Sequence, residues 1–197
     1  MTSPRRNLSR ICHWTRRSEQ LVHEIELKTD RLLLRQWRDT DLPQLIAMNG
    51  DSKVMEFVGP ALSEDQSKVM MERSRQSWKE RGYGRFALEV PGVADVIGFV
   101  GLAVTRFESH FTPCVEIGWR ISSQFWGYGY ATEGAKAVMG HSIKVPGLTE
   151  IVSYTAATNL RSRRVMEKIG LRRLSTDDFE HPNFLPGNPL KACVLYR

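Results

Sequence analysis

A chain of 197 residues with 41% hydrophobic and 25% charged positions has the size and composition of one globular domain, which excludes disordered and collagen-like architectures. Its longest uncharged apolar stretch, the nine-residue Val96–Val104, is far short of the roughly 18 residues of a membrane span. The formal charge of +6 is concentrated at one end, because Arg5, Arg6, Arg10, Arg16 and Arg17 lie in the acid-free residues 1–18. The remainder is near neutral, which argues against a nucleic-acid surface.

Residues 1–23 read as a basic, poorly ordered arm and residues 24–197 as a single domain. The Arg- and Ser-rich arm also has the composition of an organelle transit peptide, whereas a secretory signal is excluded by the lack of an apolar central region. Cys12, Cys114 and Cys193 form no CxxC pair, so no disulfide framework or zinc site is expected. A reducing, cytoplasmic setting fits them.

In chain order, Arg31–Gln36 reads as a strand and Asp39-Thr-Asp-Leu-Pro opens a helix capped by Asp39 or Thr40, with Pro43 in its first turn. Ser63 and Gln66 form a capping box for a helix that runs to Arg81 and stops at Gly82. Strands follow over Arg85–Val90, Val96–Val104 and Cys114–Ile121, the first two joined by a tight Pro91-Gly92 turn. Gly127–Lys144 is expected to be helical, Ile151–Ala156 a strand, Leu160–Ile169 a helix ended by Gly170, and Lys191–Tyr196 the closing strand. Ser175–Pro189, with three prolines and a glycine, reads as a long loop. Three consecutive strands followed by β-α alternation give an α/β (α+β) class with a mixed sheet.

The stretch from Val115 to Gly134 carries the chemistry. A strand passes through a glycine-containing turn, Gly127-Tyr-Gly129, straight into a helix. That arrangement gathers unpaired backbone N–H groups at a helix N-terminus, and glycines let phosphate oxygens approach them. A pyrophosphate is the natural guest, although glycines used only for tight packing would give the same two positions. A dinucleotide fingerprint lacks its third glycine, since Thr132 occupies that position, and the turn follows antiparallel-type strands even though Glu150 lies at ribose-acid spacing. A Walker loop lacks its Gly-Lys-Ser/Thr.

Trp126-x-x-Gly129-x-Ala131 resembles the acyl-CoA loop, R/Q-x-x-G-x-G/A, of the GNAT N-acetyltransferases, with Trp126 in place of the usual Arg or Gln. Asn159-Leu-Arg-Ser162 through Met166 to Gly170-Leu resembles the family's second conserved helix at the right spacing, and Thr29-Asp-Arg-Leu-Leu-Leu-Arg resembles the first strand. The likeness is to the branch that resembles the ribosomal-protein N-terminal acetyltransferases, over about residues 25–197. The resemblance implies a GNAT fold: a mixed central sheet of about 6–7 strands with a splayed middle pair, flanked by helices. It implies acetyl-CoA as acyl donor and a primary amine, on a protein N-terminus or a small molecule, as acceptor, in a monomer or homodimer. An alternative is a CoA-binding sensor or subunit with little catalysis.

Roles follow from the resemblance. Trp119, Arg120 and Ile121 on the splayed strand would pair with the pantetheine arm. The amides around Trp126, Gly127, Tyr128, Gly129, Tyr130, Ala131 and Thr132 would hold the pyrophosphate. Asn159 would meet the pantetheine, an N-cap role being compatible, and Arg164 with Arg161, Arg163 and Lys168 would reach the nucleotide phosphates. No metal is implied.

Amide formation needs a base, because an α-amino group (pKa about 8) or a lysine (about 10.4) must first become neutral. The resemblance makes Glu116 the first candidate, since it sits on the fourth strand where several family members carry their base, and alternation places it and Gly118 opposite Val115, Ile117 and Trp119. His181 is the second. The family's acid, a tyrosine seven residues after the asparagine, is replaced by Met166, which leaves Ser162 to bind or orient the sulfur. Trp37, Phe57, Trp78, Tyr83 and the Asp177–Pro189 loop hold positions that line the family's acceptor cleft, and Asp177, Asp178 and Glu180 form an acidic stretch suited to a cationic amine.

Overall fold

The computed structural model describes residues 25–197, so the basic arm and Cys12 lie outside the described residues. Eight strands form a mixed sheet: β1 (Leu27–Lys28), β2 (Leu33–Arg35), β3 (Arg85–Val90), β4 (Ala94–Val104), β5 (Val115–Ile121), β6 (Ile151–Ala156), β7 (Phe179–Glu180) and β8 (Ala192–Tyr196). Their order is β1-β2-β3-β4-β5-β6-β8-β7. Every pairing is antiparallel except β5–β6, which is parallel. The expected 6–7 strands become eight because β1 and β7 are only two residues each, too short for alternation to register. β7 lies inside the expected Ser175–Pro189 loop and pairs Phe179 with Cys193 and Glu180 with Ala192.

Among the described residues, five α-helices flank the sheet: α1 (Leu42–Gly50), α2 (Ser52–Met55), α3 (Glu64–Arg81), α4 (Tyr130–Ser142) and α5 (Leu160–Lys168). α3 follows the sequence signals closely. Ser63 Oγ accepts from Gln66 N–H at 3.2 Å, Gln66 Oε1 accepts from Ser63 N–H at 2.8 Å, and Gly82 ends the helix at φ 72°. α2 was not expected; it is a single turn opened by Asp51, which accepts from Lys53 N–H at 2.9 Å.

The expected cap of α1 is corrected. Asp39–Asp41 form a 3-10 turn, and neither Asp39 nor Thr40 caps the helix. Asp41 precedes α1, but its carboxylate accepts from Arg38 N–H and from Arg35 Nη1, both at 2.7 Å. Arg35 also reaches Glu89 at 2.9 Å. Burial opposes the Arg35 charge, yet these two acids hold it above the usual arginine value.

α4 packs on β4 and β5, and its apolar side joins Leu34, Leu88, Val100, Ile117, Val138 and Met166 in the larger core. The approach is close: a Cβ at Gly134 would stand 3.1 Å from Val100 Cγ1 and 3.3 Å from Leu88 Cδ2. A second core, with Leu45, Met71, Ala87 and Phe99, fills the space beneath α1 and α3 on the other face. The helical reading of Gly127–Lys144 is shortened at its start, because Gly127 (φ 87°) and Gly129 (φ 85°) occupy the left-handed region.

Candidate active site

β5 and β6 are joined by their register only at Val115–Ile151 and Glu116–Val152. Beyond these pairs the ladder stops, and Ser153 Oγ donates to Ile117 O at 2.9 Å where a continuing parallel ladder would use the next β6 N–H. Since peptide groups alternate direction along a strand, Trp119 points its N–H and C=O into the same gap. Ile121 O is taken by the Trp126 indole N–H at 2.7 Å, which folds the following loop back onto the strand. The expected splayed pair is therefore present, and its physical cause is local.

The loop between β5 and α4 ends in a row of free donors. Trp126 N–H reaches Ser123 O, and the next main-chain bond belongs to Glu133, which donates to Gly129 O at 3.1 Å. Among the described residues, the amides of Gly127 to Thr132 donate to no backbone acceptor, and no side chain caps α4. Six neighbouring N–H groups at a helix N-terminus, with open space beside Gly127, form an anion cradle.

Arg31 holds this cradle in place. Its Nε donates to Glu133 Oε2 at 2.8 Å, its Nη1 to Tyr128 O at 2.9 Å, and its guanidinium lies 4.8 Å above the Tyr130 ring. Thr29 Oγ1 also donates to Glu133 at 2.6 Å. Burial raises the Glu133 pKa, but the Thr29 and Arg31 hydrogen bonds outweigh it and the group ends below the usual glutamate range. A depressed carboxylate contributes stability that is complete above its unfolded pKa and is lost as pH falls through the folded one. Arg31→Ala is thus expected to cost about 1 kcal/mol, the ion pair being half exposed, and to flatten the acid limb of a Tm-against-pH curve.

A cavity of about 310 Å³ opens in front of the cradle. Of the residues expected to hold a cofactor, Trp119, Arg120, Ile121, Trp126, Gly127, Gly129, Tyr130, Ala131, Thr132, Asn159, Ser162 and Arg164 all line it. Tyr128 does not; its side chain is exposed and stacks on Tyr130 at 5.6 Å. Among the described residues, the lining carries five basic side chains and no acid, with Lys53 of α2 joining Arg120, Arg161, Arg164 and Lys168. Arg161 lies 4.1 Å over the Trp126 ring and pairs with Glu56 at 2.9 Å. Arg163 is a correction: it faces away, donating to Ala157 O at 2.9 Å and to Tyr196 Oη at 3.3 Å.

Asn159 caps α5, accepting from Ser162 N–H at 3.2 Å while its Nδ2 donates to Thr155 Oγ1 at 2.9 Å. Ser162 faces the cavity and Met166 is core, 1% exposed, so α5 presents a hydroxyl but no phenol to the site.

A second cavity, about 810 Å³, lies further back along β5 and contains both base candidates, Glu116 and His181. The expected alternation is present: Ile117 is buried against α4 while Glu116 faces the cavity, 3.2 Å from Arg85. Tyr154 of β6 lines the cavity as well, and burial first, then the neighbouring Glu116 carboxylate, raise its phenol pKa. It stays protonated and able to donate. His181 packs 4.4 Å from the Phe107 ring, and its Nδ1 accepts from Asn183 N–H at 3.3 Å. Burial lowers its pKa although Glu116 opposes the shift, so the ring is held neutral with its basic nitrogen already engaged.

The remaining acceptor expectations divide. Trp37 and Trp78 are core residues, Tyr83 packs against the larger core, and Phe57 lines the first cavity instead. The acidic stretch is neutralised, because Asp177 pairs with Arg197, Asp178 with Arg173 and Glu180 with Lys191. Arg31, Lys53, Arg85 and Tyr154 were not expected at the site. Each is brought there by pairing between distant segments, which no local pattern encodes.

Residues 31–172 match a family model described as an acetyltransferase (GNAT) domain. The chain is 27% identical over 150 residues to the uncharacterized N-acetyltransferase YnaD of Bacillus subtilis, which covers 76% of this chain and 84% of that protein. A solved structure assigned to the GNAT family from Bordetella pertussis superposes with a TM-score of 0.72 at 27% identity, covering 87% of this chain and 98% of the other. The RimL ribosomal L7/L12 α-N-protein acetyltransferase in complex with coenzyme A shares the fold, with a TM-score of 0.70 at 15% identity over 87% of this chain and 96% of that one.

Proposed function

Because the chain belongs to the GNAT acetyltransferases, acyltransferases that draw on acetyl-CoA, we propose that it moves the acetyl group to a primary amine by direct attack, with Glu116 as the base. The observation that carries this reading is the sharing of β5 by two cavities. One offers free amides and five basic side chains, as a pyrophosphate-bearing thioester requires; the other offers a carboxylate. When bound, acetyl-CoA supplies the activated acetyl group and a thiolate leaving group.

The chain's own contributions follow. The Gly127–Thr132 amides and the basic side chains fix the phosphates. Trp119 N–H, free in the gap, is the donor for negative charge developing on the carbonyl oxygen. Glu116 takes the ammonium proton, directly or through water, and so frees the lone pair for attack. The protonated Tyr154 phenol, in the same cavity as Glu116, is the donor placed to orient its carboxylate. Ser162 supports the sulfur, and because a thiolate leaves readily no strong acid is needed there. The amine becomes an amide and the thioester a thiol, with one proton passed on.

A panel of amines, including peptides with varied N-termini, tests this by release of free thiol from acetyl-CoA. Turnover is expected with at least one acceptor class, and acetyl-CoA binding without turnover on any amine would favour the sensor reading. His181→Phe, which keeps a ring in the Phe107 cluster, is expected to lower kcat/KM by less than about tenfold. A loss as large as that of a Glu116 variant would make His181 the base.

A further inference from the structure

The second cavity is electropositive, although it must receive an amine. Its charged lining is Arg73, Arg81, Arg85 and Arg106 against Glu80 and Glu116. Arg81 is held by Glu80 at 2.6 Å, and Arg85 by Glu116 at 3.2 Å. Arg73 and Arg106 make no ion pair among the described residues. The acids of the Asp177–Glu180 stretch cannot balance them, being paired to Arg197, Arg173 and Lys191.

Between the two cavities, Arg85 of the second and Arg120 of the first show the same excess in a less solvated setting. Arg85 and Arg120 lie on Phe99 at 5.3 and 5.4 Å from its centroid. Among the described residues, Glu116 is the one carboxylate paired with either of them, and the buried Arg85 Nε has no hydrogen-bond partner. Arg120 donates to Asn49 Oδ1, whose amide is fixed by an Nδ2 bond to Ser67 Oγ at 3.0 Å, and it has no ion pair among the described residues. Burial, then Arg85, pushes the Arg120 pKa down to about 10. Guanidiniums left short of anions in such a place are costly to the fold, and a ligand carboxylate relieves that cost. The phosphate cradle lies at α4, and Arg73, Arg85 and Arg106 do not line its cavity.

We propose that the acceptor is an amine that also carries a carboxylate, with Glu116 meeting the amine and Arg73, Arg85 and Arg106 meeting the carboxylate. The inference rests on the acetyl-transfer reading of this site. It selects amino-acid-like amines or peptide N-termini followed by acidic residues over polycationic amines.

The test uses matched pairs in which only the carboxylate changes: 4-aminobutanoate against its amide, and a Ser-Glu-Asp-Gly peptide against Ser-Gln-Asn-Gly. Thiol release at saturating acetyl-CoA gives kcat/KM for each. The carboxylate member of at least one pair is expected to be favoured about tenfold or more at low salt, the preference shrinking as salt rises. The responding pair tells a free amino acid from a peptide terminus. In Arg73→Glu/Arg106→Glu and in the milder Arg73→Gln/Arg106→Gln the ratio is expected to fall towards one. Equal rates within every pair, or a ratio unchanged in both variants, overturns this inference alone. Thiol release from other amines of the panel but from no member of any pair also overturns this inference alone, whereas no release with any amine at all overturns the acetyl-transfer reading and this inference with it.

Discussion

Glu116→Gln is expected to lower turnover by about 100- to 1,000-fold near neutral pH while acetyl-CoA affinity stays within about twofold. Glutamine keeps the shape and can still accept from Arg85, 3.2 Å away, but it cannot take a proton. The residues proposed to hold the pantetheine begin at Trp119, three positions along β5, which is why binding and turnover separate. Without the base only amine already neutral in solution reacts. The variant's rate is therefore expected to climb about tenfold per pH unit up to the acceptor's own pKa, whereas the parent enzyme is flatter. Glu116→Asp recovers part of the activity. Turnover unchanged in Glu116→Gln would remove Glu116 from the mechanism.

Gly129→Val is expected to raise the acetyl-CoA Kd by about 100-fold or more, or about 2.7 kcal/mol, as read by calorimetry. A Cβ at Gly129 meets nothing in the protein closer than Arg31 Nη2 at 3.6 Å, so no internal clash is responsible. The cause is the backbone. At φ 85° a β-branched residue is strained by about 1–3 kcal/mol, and relieving that strain rotates the Gly129 and Tyr130 amides out of the cradle. The side chain also fills the space the phosphate requires. Gly147→Val is the control: it has the same left-handed backbone (φ 77°) and open surroundings outside the site. It should share the stability loss and keep the affinity. A Gly129→Val Kd within about threefold of the parent would refute the cradle.

Much of this architecture was legible because its signals are local. The Ser63 box, the Gly82 stop and the Pro91-Gly92 turn act within a few residues of themselves, and each sits where expected. The glycine loop before α4 was legible for the same reason, since φ above zero and free N–H groups are properties of one short segment. Elements were missed where the signal was too short, as with α2 and β7, or where a tertiary partner claimed the side chain. Asp41 did not cap α1 because Arg35, six positions earlier and buried with it, holds its carboxylate.

The sequence by itself determined the class of fold, the glycine loop with its free N–H groups and the strand face that carries Glu116, because backbone conformation and two-residue alternation are written in adjacent residues. Only the tertiary structure decided what surrounds Glu116. Tyr154 comes from β6, Arg85 from β3 and His181 from the segment after β7, and their meeting depends on sheet order and on where the β5–β6 ladder stops. The same holds for charge. The acidic stretch read as an attraction for a cation is neutralised by partners such as Arg197 and Lys191, and the cavity it borders is left to the arginines. Net charge is a sum over the chain, whereas the field in a cleft depends on which charges remain unpaired there.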